Sequence, residues 1–111
     1  MQKITADELI SAVRFNADGL VPVITQQFDT KEVLMMAWAN EQALKKTLET
    51  GRMCYFSRSR QQLWRKGETS GHTQKLIELR IDCDGDTLLA LIDQTGAACH
   101  TGNRSCFYRG L

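Results

Sequence analysis

Two pairs of apolar segments, each joined by a short polar stretch, most strongly constrain how this chain can fold. Residues 20–28 are rich in β-branched side chains and residues 33–38 are continuously apolar, with polar residues at 29–31 between them. Residues 77–81 alternate between apolar and charged side chains, and residues 88–92 form an apolar run after an acidic turn. Such segments, bounded by turn residues, predict two hairpins.

Helical patterns flank the first hairpin. Residues 5–15 place apolar side chains at helical spacing behind Thr5 and Asp7, either of which could cap the first turn. Asn40 precedes a second amphipathic segment, and Gly51 follows it as the expected C-cap. Two short helices are therefore predicted.

The stretch after the second helix is harder to assign. Residues 53–57 are typical of a strand, whereas residues 58–73 hold four cations and two glycines with little apolar periodicity, which predicts a long ordered loop. A length of 111 residues predicts one domain, residues 1–111. The predicted fold class is α+β, with a mainly antiparallel sheet and two helices.

Charge and apolar content exclude several classes of protein. Fourteen Lys and Arg oppose thirteen Asp and Glu, so the net charge of +1 gives no general attraction to nucleic acid or anionic membrane. No apolar run approaches the length that spans a bilayer, and the first residues are polar instead of signal-like. We expect a soluble cytoplasmic protein with reduced thiols.

Reduced cysteines favour a metal, a nucleophile or the core. Cys54 lies in an apolar strand pattern and is assigned to the core, whereas Cys83, Cys99 and Cys106 lie in turn-like contexts. Three thiolates suit a catalytic zinc, and a closed structural site would need His100 or another histidine as fourth ligand. The spacing, which lacks a CxxC pair, leaves both alternatives open beside buried or incidental cysteines.

Three aspartates alternate around one of these cysteines. In an extended backbone Asp82, Asp84 and Asp86 would point to one side and Cys83 to the other. Carboxylate oxygens suit magnesium. A hairpin turn at Asp84 and Gly85 explains the same residues without any metal.

The basic stretch offers groups that suit phosphate. Residues 57–60, SRSR, are followed by Arg65 and Lys66, and guanidinium groups, hydroxyls and exposed amides bind phosphates well. A solvated basic loop is the alternative. Trp64 could stack on a base or anchor the loop in the core, and His72 could titrate near neutrality or simply be hydrogen-bonded.

Four motifs then occur in a fixed order: LWRKGETSGHTQ at 63–74, DCDGD at 82–86, GAACHTG at 96–102 and SCF at 105–107. Together they closely resemble the phosphoribosyl-AMP cyclohydrolase family. The resemblance continues upstream through GLVPVI, VLMMAW, TLETG and YFSRSR, and so covers nearly the whole chain.

The resemblance implies hydrolysis of 1-(5-phosphoribosyl)-AMP between N1 and C6 of the adenine, a step of histidine biosynthesis. It also implies zinc on Cys83, Cys99 and Cys106, magnesium on the three aspartates, and a homodimer whose zinc site draws cysteines from both subunits. Because only five residues follow Cys106, a monofunctional chain is expected.

Residue roles within that reaction are hypotheses. His100, adjacent to Cys99, is the first candidate for the general base, with Glu68 and His72 as second candidates. The predicted substrate-binding residues are Ser57, Arg58, Ser59, Arg60, Trp64, Lys66 and Ser70.

Two other classes of function would use the same residues. A structural zinc-binding module would close the metal site with a histidine and bind a partner without turnover. An RNA-binding module would use the basic loop and Trp64, although the balanced charge argues against it.

Overall fold

The computed structural model describes residues 1–111 and contains two helices and six strands. In chain order these are α1 (Ala6–Ala12), β1 (Val21–Gln27), β2 (Val33–Ala39), α2 (Glu41–Thr50), β3 (Cys54–Ser57), β4 (Gln62–Arg65), β5 (Gln74–Ile81) and β6 (Leu88–Gln94). The predicted α+β class with two helices and a mainly antiparallel sheet is confirmed. Neither helix is long and apolar enough to cross a membrane.

Local capping signals set the ends of both helices. At α1, Thr5 Oγ1 accepts from the Glu8 backbone N–H, and the Glu8 carboxylate accepts from the Thr5 N–H, both at 3.1 Å. Thr5 is therefore the cap, and Asp7 lies inside the helix. At α2, Asn40 caps the first turn and Gly51 ends the helix in the left-handed region at φ 74°, as predicted.

The main sheet has the strand order β2-β1-β6-β5. Both outer pairs are the antiparallel hairpins that the sequence predicts, and the central pair, β1 with β6, is parallel. Strand order was not predictable from local patterns, because this pair joins residues far apart in the chain.

A second, two-stranded sheet pairs β3 with β4. Strand β4 lies inside the stretch predicted as a loop, so that prediction is wrong over Gln62–Arg65. The strand has only four residues, two of them exposed, and it is defined by its pairing with β3, in which Tyr55 opposes Trp64. Such a short half-exposed strand carries little periodicity of its own.

One face of the main sheet carries the core. Alternate inward residues such as Val21, Val23 and Leu88 pack with residues of α1, α2 and β3, including Leu44 and fully buried Tyr55. The opposite face is open and partly apolar. Ile24 and Met36 lie directly opposite each other on β1 and β2, and they are 37% and 43% exposed.

Candidate functional site

A cavity of about 930 Å³ opens between the β3–β4 hairpin and two loops, residues 66–73 and 95–103. The three candidates for proton transfer, Glu68, His72 and His100, all line it. Six of the predicted substrate-binding residues do so as well: Ser57, Ser59, Arg60, Trp64, Lys66 and Ser70. Residues predicted from separate parts of the sequence thus meet at one cavity.

Arg58 is the predicted substrate-binding residue that does not line this cavity. Its guanidinium carbon lies 4.9 Å from the centre of the Trp38 ring, a cation–π contact with β2. Its neighbours Ser57, Ser59 and Arg60 line the cavity. The turn between β3 and β4 therefore directs Arg58 away from the cavity and the neighbouring side chains toward it. Phosphate binding by Arg58 stays a prediction.

The charged residues of the cavity wall are mainly cations. Arg60, Arg65 and Lys66 line it against a single carboxylate, Glu68. Arg65 is one of the cations that the basic stretch offers for phosphate, and it lies on the cavity wall between Trp64 and Lys66. This local charge favours an anionic ligand despite the nearly neutral chain.

Trp64 is placed both to anchor its strand in the core and to face a ligand in the cavity. Its ring packs at 5.1 Å and 36° against the buried ring of Tyr55, which anchors it to the core. It also lines the cavity, where a planar base could stack on it.

The two loops that wall the cavity touch through His72. A Cβ at Gly96 would lie 2.6 Å from His72 Cδ2, and a Cβ at Gly67 would lie 2.5 Å from the His72 carbonyl carbon. Both glycines also have positive φ angles, 73° and 81°. Gly96 lets the two loops approach closely, and Gly67 lets the 66–73 loop fold back on its own backbone at His72.

Cys99 and Cys106 form a thiol pair at the edge of the cavity. The Thr101 hydroxyl donates to Cys99 Sγ at 3.0 Å, and this bond is the main cause that lowers the pKa of Cys99. Burial raises the pKa of Cys106, and the neighbouring Cys99 thiol raises it further. Sequence reasoning did not single out Thr101, which stands two residues after Cys99 in the CHT motif.

Lys66 reaches the same corner. Its ammonium donates to the Ala98 carbonyl and lies 5.6 Å from the centre of the Trp64 ring. Burial lowers the pKa of Lys66, while the nearby thiols of Cys99 and Cys106 act in the opposite direction. Lys66 is therefore turned toward the thiol pair, and it can balance negative charge there.

Cys83 lies apart from this pair, in the turn between β5 and β6. The seven residues of β6 separate that turn from the Cys99 loop, about 20 Å at the usual rise of a strand. No three cysteine or histidine ligand atoms of the chain lie within 4.8 Å of one another. A single chain thus brings two of the three predicted zinc ligands together, and it does not form a closed site with His72 or His100.

The acidic turn does bring its three carboxylates together. Ligand oxygens of Asp82, Asp84 and Asp86 all lie within 4.8 Å of one another. The backbone of this segment is a turn, as the alternative interpretation predicts, and not extended, because the Gly85 N–H donates to the Asp82 carbonyl at 3.2 Å. Hydrogen bonds that the protonated Asp86 carboxyl donates to Asp82 and Asp84 raise the pKa of Asp86, as expected for crowded carboxylates.

Glycine docks this turn on the first helix. Gly85, at φ 79°, is so close to α1 that a Cβ would lie 2.4 Å from the Ala12 carbonyl oxygen. The Arg14 N–H donates to the Gly85 carbonyl at 2.7 Å. The turn that holds Cys83 and the aspartates therefore has a fixed place at the end of the sheet remote from the cavity.

Comparison with known proteins gives a consistent result over most of the chain. Residues 35–108 match the family model described as phosphoribosyl-AMP cyclohydrolase. The protein of that name from Rhodospirillum rubrum is 70% identical over 100 residues, covering 90% of this chain and 70% of the relative. Those from Granulibacter bethesdensis and Rhodospirillum centenum are 65% and 60% identical, covering 94% and 100% of this chain and 81% and 84% of theirs.

Proposed function

The chain belongs to the phosphoribosyl-AMP cyclohydrolase family, and we propose that it opens the adenine ring of 1-(5-phosphoribosyl)-AMP by hydrolysis of the N1–C6 bond. The coarser assignment, a hydrolase of histidine biosynthesis with this family's activity, follows from identities of 60–70% over most of the chain. The bond, the metals and the residue roles are the proposal.

One observation supports the proposal most directly: a single cavity is lined by cationic, aromatic, imidazole and thiol groups. A phosphorylated nucleoside needs this combination, because cations bind its phosphates and an aromatic ring can stack on its base. Imidazole and carboxylate groups near the base can move protons.

The reaction consumes one water and releases no ammonia. Ribosylation at N1 makes the ring electron-poor, so the water oxygen adds at C6 and forms a tetrahedral carbon. The N1–C6 bond then breaks, the oxygen stays on C6 as a carboxamide, and N1 leaves with a proton. The enzyme must therefore remove a proton from water and deliver one to N1.

His100 is proposed to handle those protons. It lines the cavity immediately after Cys99, and the loop that carries it is closed by hydrogen bonds from Cys99 N–H to the Asn103 carbonyl and from Gly102 N–H to the Cys99 carbonyl, both at 3.1 Å. Glu68 and His72 line the same cavity and are the second candidates.

The substrate phosphates are proposed to lie at the β3–β4 turn. Ser57, Ser59 and Arg60 line the cavity there and offer hydroxyls and a guanidinium group. Lys66 is directed toward Cys99 and Cys106, so we assign it to the reacting end of the cavity and not to the phosphates.

Zinc is proposed at Cys99 and Cys106 together with a Cys83 thiolate. The donor set fits, because soft thiolates favour zinc and the lowered pKa of Cys99 favours its ionised form. All four cysteines are free, as a reducing cytoplasm would keep them. When bound, zinc would supply a water that ionises near neutral pH.

A homodimer is proposed because one chain cannot complete this ligand set. Cys83 is a strand length away from the other two cysteines, so the third thiolate would come from a second copy. The open apolar face around Ile24 and Met36 offers a surface that a second copy could cover.

Magnesium is proposed at Asp82, Asp84 and Asp86. Their oxygens are close enough to share one cation, and the raised pKa of Asp86 reports negative charge that a divalent cation would balance. Hard oxygen ligands distinguish this position from the thiolate site.

The test is ring opening of phosphoribosyl-AMP by purified protein supplied with zinc and magnesium, followed by absorbance. Turnover that disappears in a chelator-treated sample and returns with zinc would support the reaction and its metal together. An inert, zinc-replete dimer would contradict the proposal and favour a structural zinc module instead.

A further inference from the structure

Gln94, the last residue of β6, has a side chain that reaches both loops of the cavity. It is only 8% exposed. Its amide nitrogen lies 3.1 Å from the Thr95 carbonyl oxygen, 3.4 Å from that of His72 and 3.5 Å from that of Ala97. One buried amide group thus contacts the backbone on both sides of the cavity wall.

The orientation of this amide is fixed by a chain of buried hydrogen bonds. Gln74 Nε2 donates to Gln94 Oε1 at 2.8 Å, and Tyr55 donates to Gln74 Oε1 at 2.7 Å. Since the Tyr55 proton is used there, Thr25 Oγ1 must donate to the Tyr55 oxygen, 2.8 Å away. This directed chain leaves Gln94 Nε2 pointing at the loop carbonyls.

No buried side-chain nitrogen or oxygen in the chain lacks a hydrogen-bond partner. Replacing the Gln94 amide by an apolar group would therefore leave Gln74 Nε2 with only the Met35 sulfur as acceptor, and it would leave the loop carbonyls without their donor. Such losses are expensive in a buried region. The structure thus favours glutamine over any apolar residue at this position.

The two loops that Gln94 bridges carry the proposed reacting groups. The Thr95 N–H donates to the Thr73 carbonyl at 3.0 Å, so the loops are also joined by backbone beside Gln94. One loop holds Glu68 and His72, and the other leads to Cys99 and His100.

We propose that Gln94 is a positioning residue for ring opening: its side-chain amide fixes the His72 loop relative to the segment that carries Cys99 and His100. This inference rests on the proposed function. Gln94 makes no contact with the Ser57–Arg60 turn assigned to the phosphates, so its loss should disturb the reacting groups more than substrate binding.

The test compares Gln94→Glu and Gln94→Met with Thr47→Val. Gln94→Glu keeps the shape but replaces the donor nitrogen by oxygen, and Gln94→Met keeps the length without any polar atom. Thr47→Val is the matched control, because Thr47 is fully buried and hydrogen-bonded only to the Cys54 backbone, away from the cavity. Steady-state kinetics, zinc content and thermal unfolding are measured for each, well below the unfolding temperature.

For both Gln94 variants we expect kcat to fall by about tenfold or more while KM changes by less than about threefold, with zinc content unchanged. Thr47→Val should unfold at a lower temperature with unchanged kcat. An active unsubstituted protein with unchanged kcat in folded Gln94 variants would overturn this inference alone. So would a loss of kcat in Thr47→Val equal to theirs, or failure of both Gln94 variants to fold. An inactive unsubstituted protein would instead contradict the proposed function, and this inference with it.

Discussion

Strand β6 has a polar region at each end, and the chain builds the two in opposite ways. The acidic turn before it, residues 82–87, consists of six consecutive residues that hydrogen-bond mainly among themselves, such as Asp86 N–H to Asp82 Oδ1 at 3.0 Å. The cavity after it joins the β3–β4 hairpin to two loops that lie far apart in the sequence. The first region is local and exposed, and the second depends on the tertiary fold.

This difference decides what each region can do alone. The three carboxylates of the acidic turn, the proposed magnesium ligands, all come from one chain. The cavity end holds Cys99 and Cys106 but not Cys83, which belongs to the opposite end. If zinc needs all three thiolates, the two ends can cooperate only between two copies of the chain.

The largest expected effect tests that cooperation. Cys83→Ser and Cys106→Ser should each lose zinc and turnover, because each removes one thiolate from every site. Coexpressed, the two variants should form mixed dimers in which one of the two proposed sites is intact, so activity should return to about a quarter of the unsubstituted level for random pairing. Turnover and zinc content of the copurified mixture are the measurements.

A mixture of Cys99→Ser and Cys106→Ser is the matched control. Both substitutions affect the same end of the chain, so no pairing restores a site and the mixture should stay inactive. Recovery in this control, or full activity of Cys83→Ser alone, would contradict a site shared between opposite ends.

His100→Ala tests the cavity end without removing a thiolate. We expect a folded protein with retained zinc and turnover reduced by about 10², the usual scale for a lost general base. Glu68→Gln and His72→Ala, measured beside it, show which group moves the proton. Near-normal turnover in His100→Ala would shift the role to one of them.

Gly96→Ala tests whether the close approach of the two loops matters. The new Cβ would lie 2.6 Å from His72, so His72 must move, and turnover should fall by about tenfold. Gly19→Ala is the control, because Gly19 has a similar φ of 75° but no neighbour within 4 Å. It should cost only the left-handed strain of about 1 kcal/mol and leave kcat unchanged. Equal kcat in the two variants would show that turnover does not depend on the close contact between the loops.

Asp84→Asn gives the smallest effect and probes the acidic end. Asp82 accepts backbone hydrogen bonds that hold the turn, whereas Asp84 does not, so this change removes a charge and leaves the turn intact. Less repulsion should raise the Tm by about 1–2 °C without magnesium, and stabilisation by added magnesium should weaken. Thermal unfolding with and without magnesium measures both effects. An unchanged stabilisation by magnesium would contradict the proposal that the cation binds at this turn.

Local signals in the sequence predicted the local parts of the fold. Thr5, Asn40 and Gly51 mark helix ends because capping involves only neighbouring residues. The two hairpins follow from alternation and short turns. The parallel pairing of β1 with β6 and the strand β4 could not be predicted, because both depend on pairing that no local pattern records.

The candidate site was predicted in the same uneven way. The motifs identified most of the cavity residues through their resemblance to a family, but spacing alone left zinc and magnesium open. Gln74 and Gln94 were missed, because a glutamine in a strand is usually taken as a solvent-facing residue. The signal that could have found Gln94 is its position two residues after buried Ile92, which places both side chains on the inward face of β6.

The parallel pair at the centre of the sheet has a consequence for how the protein folds. Val23 pairs with Leu88, 65 positions later, whereas each hairpin pairs residues that are close in sequence. The hairpins can form early, but docking β1 beside β6 must close a long loop, and contacts of such high contact order slow folding. That docking also brings Gln27 Oε1 within 2.9 Å of the Gln94 N–H. We therefore expect the cavity to take shape in the last and slowest step, when the two halves of the sheet join.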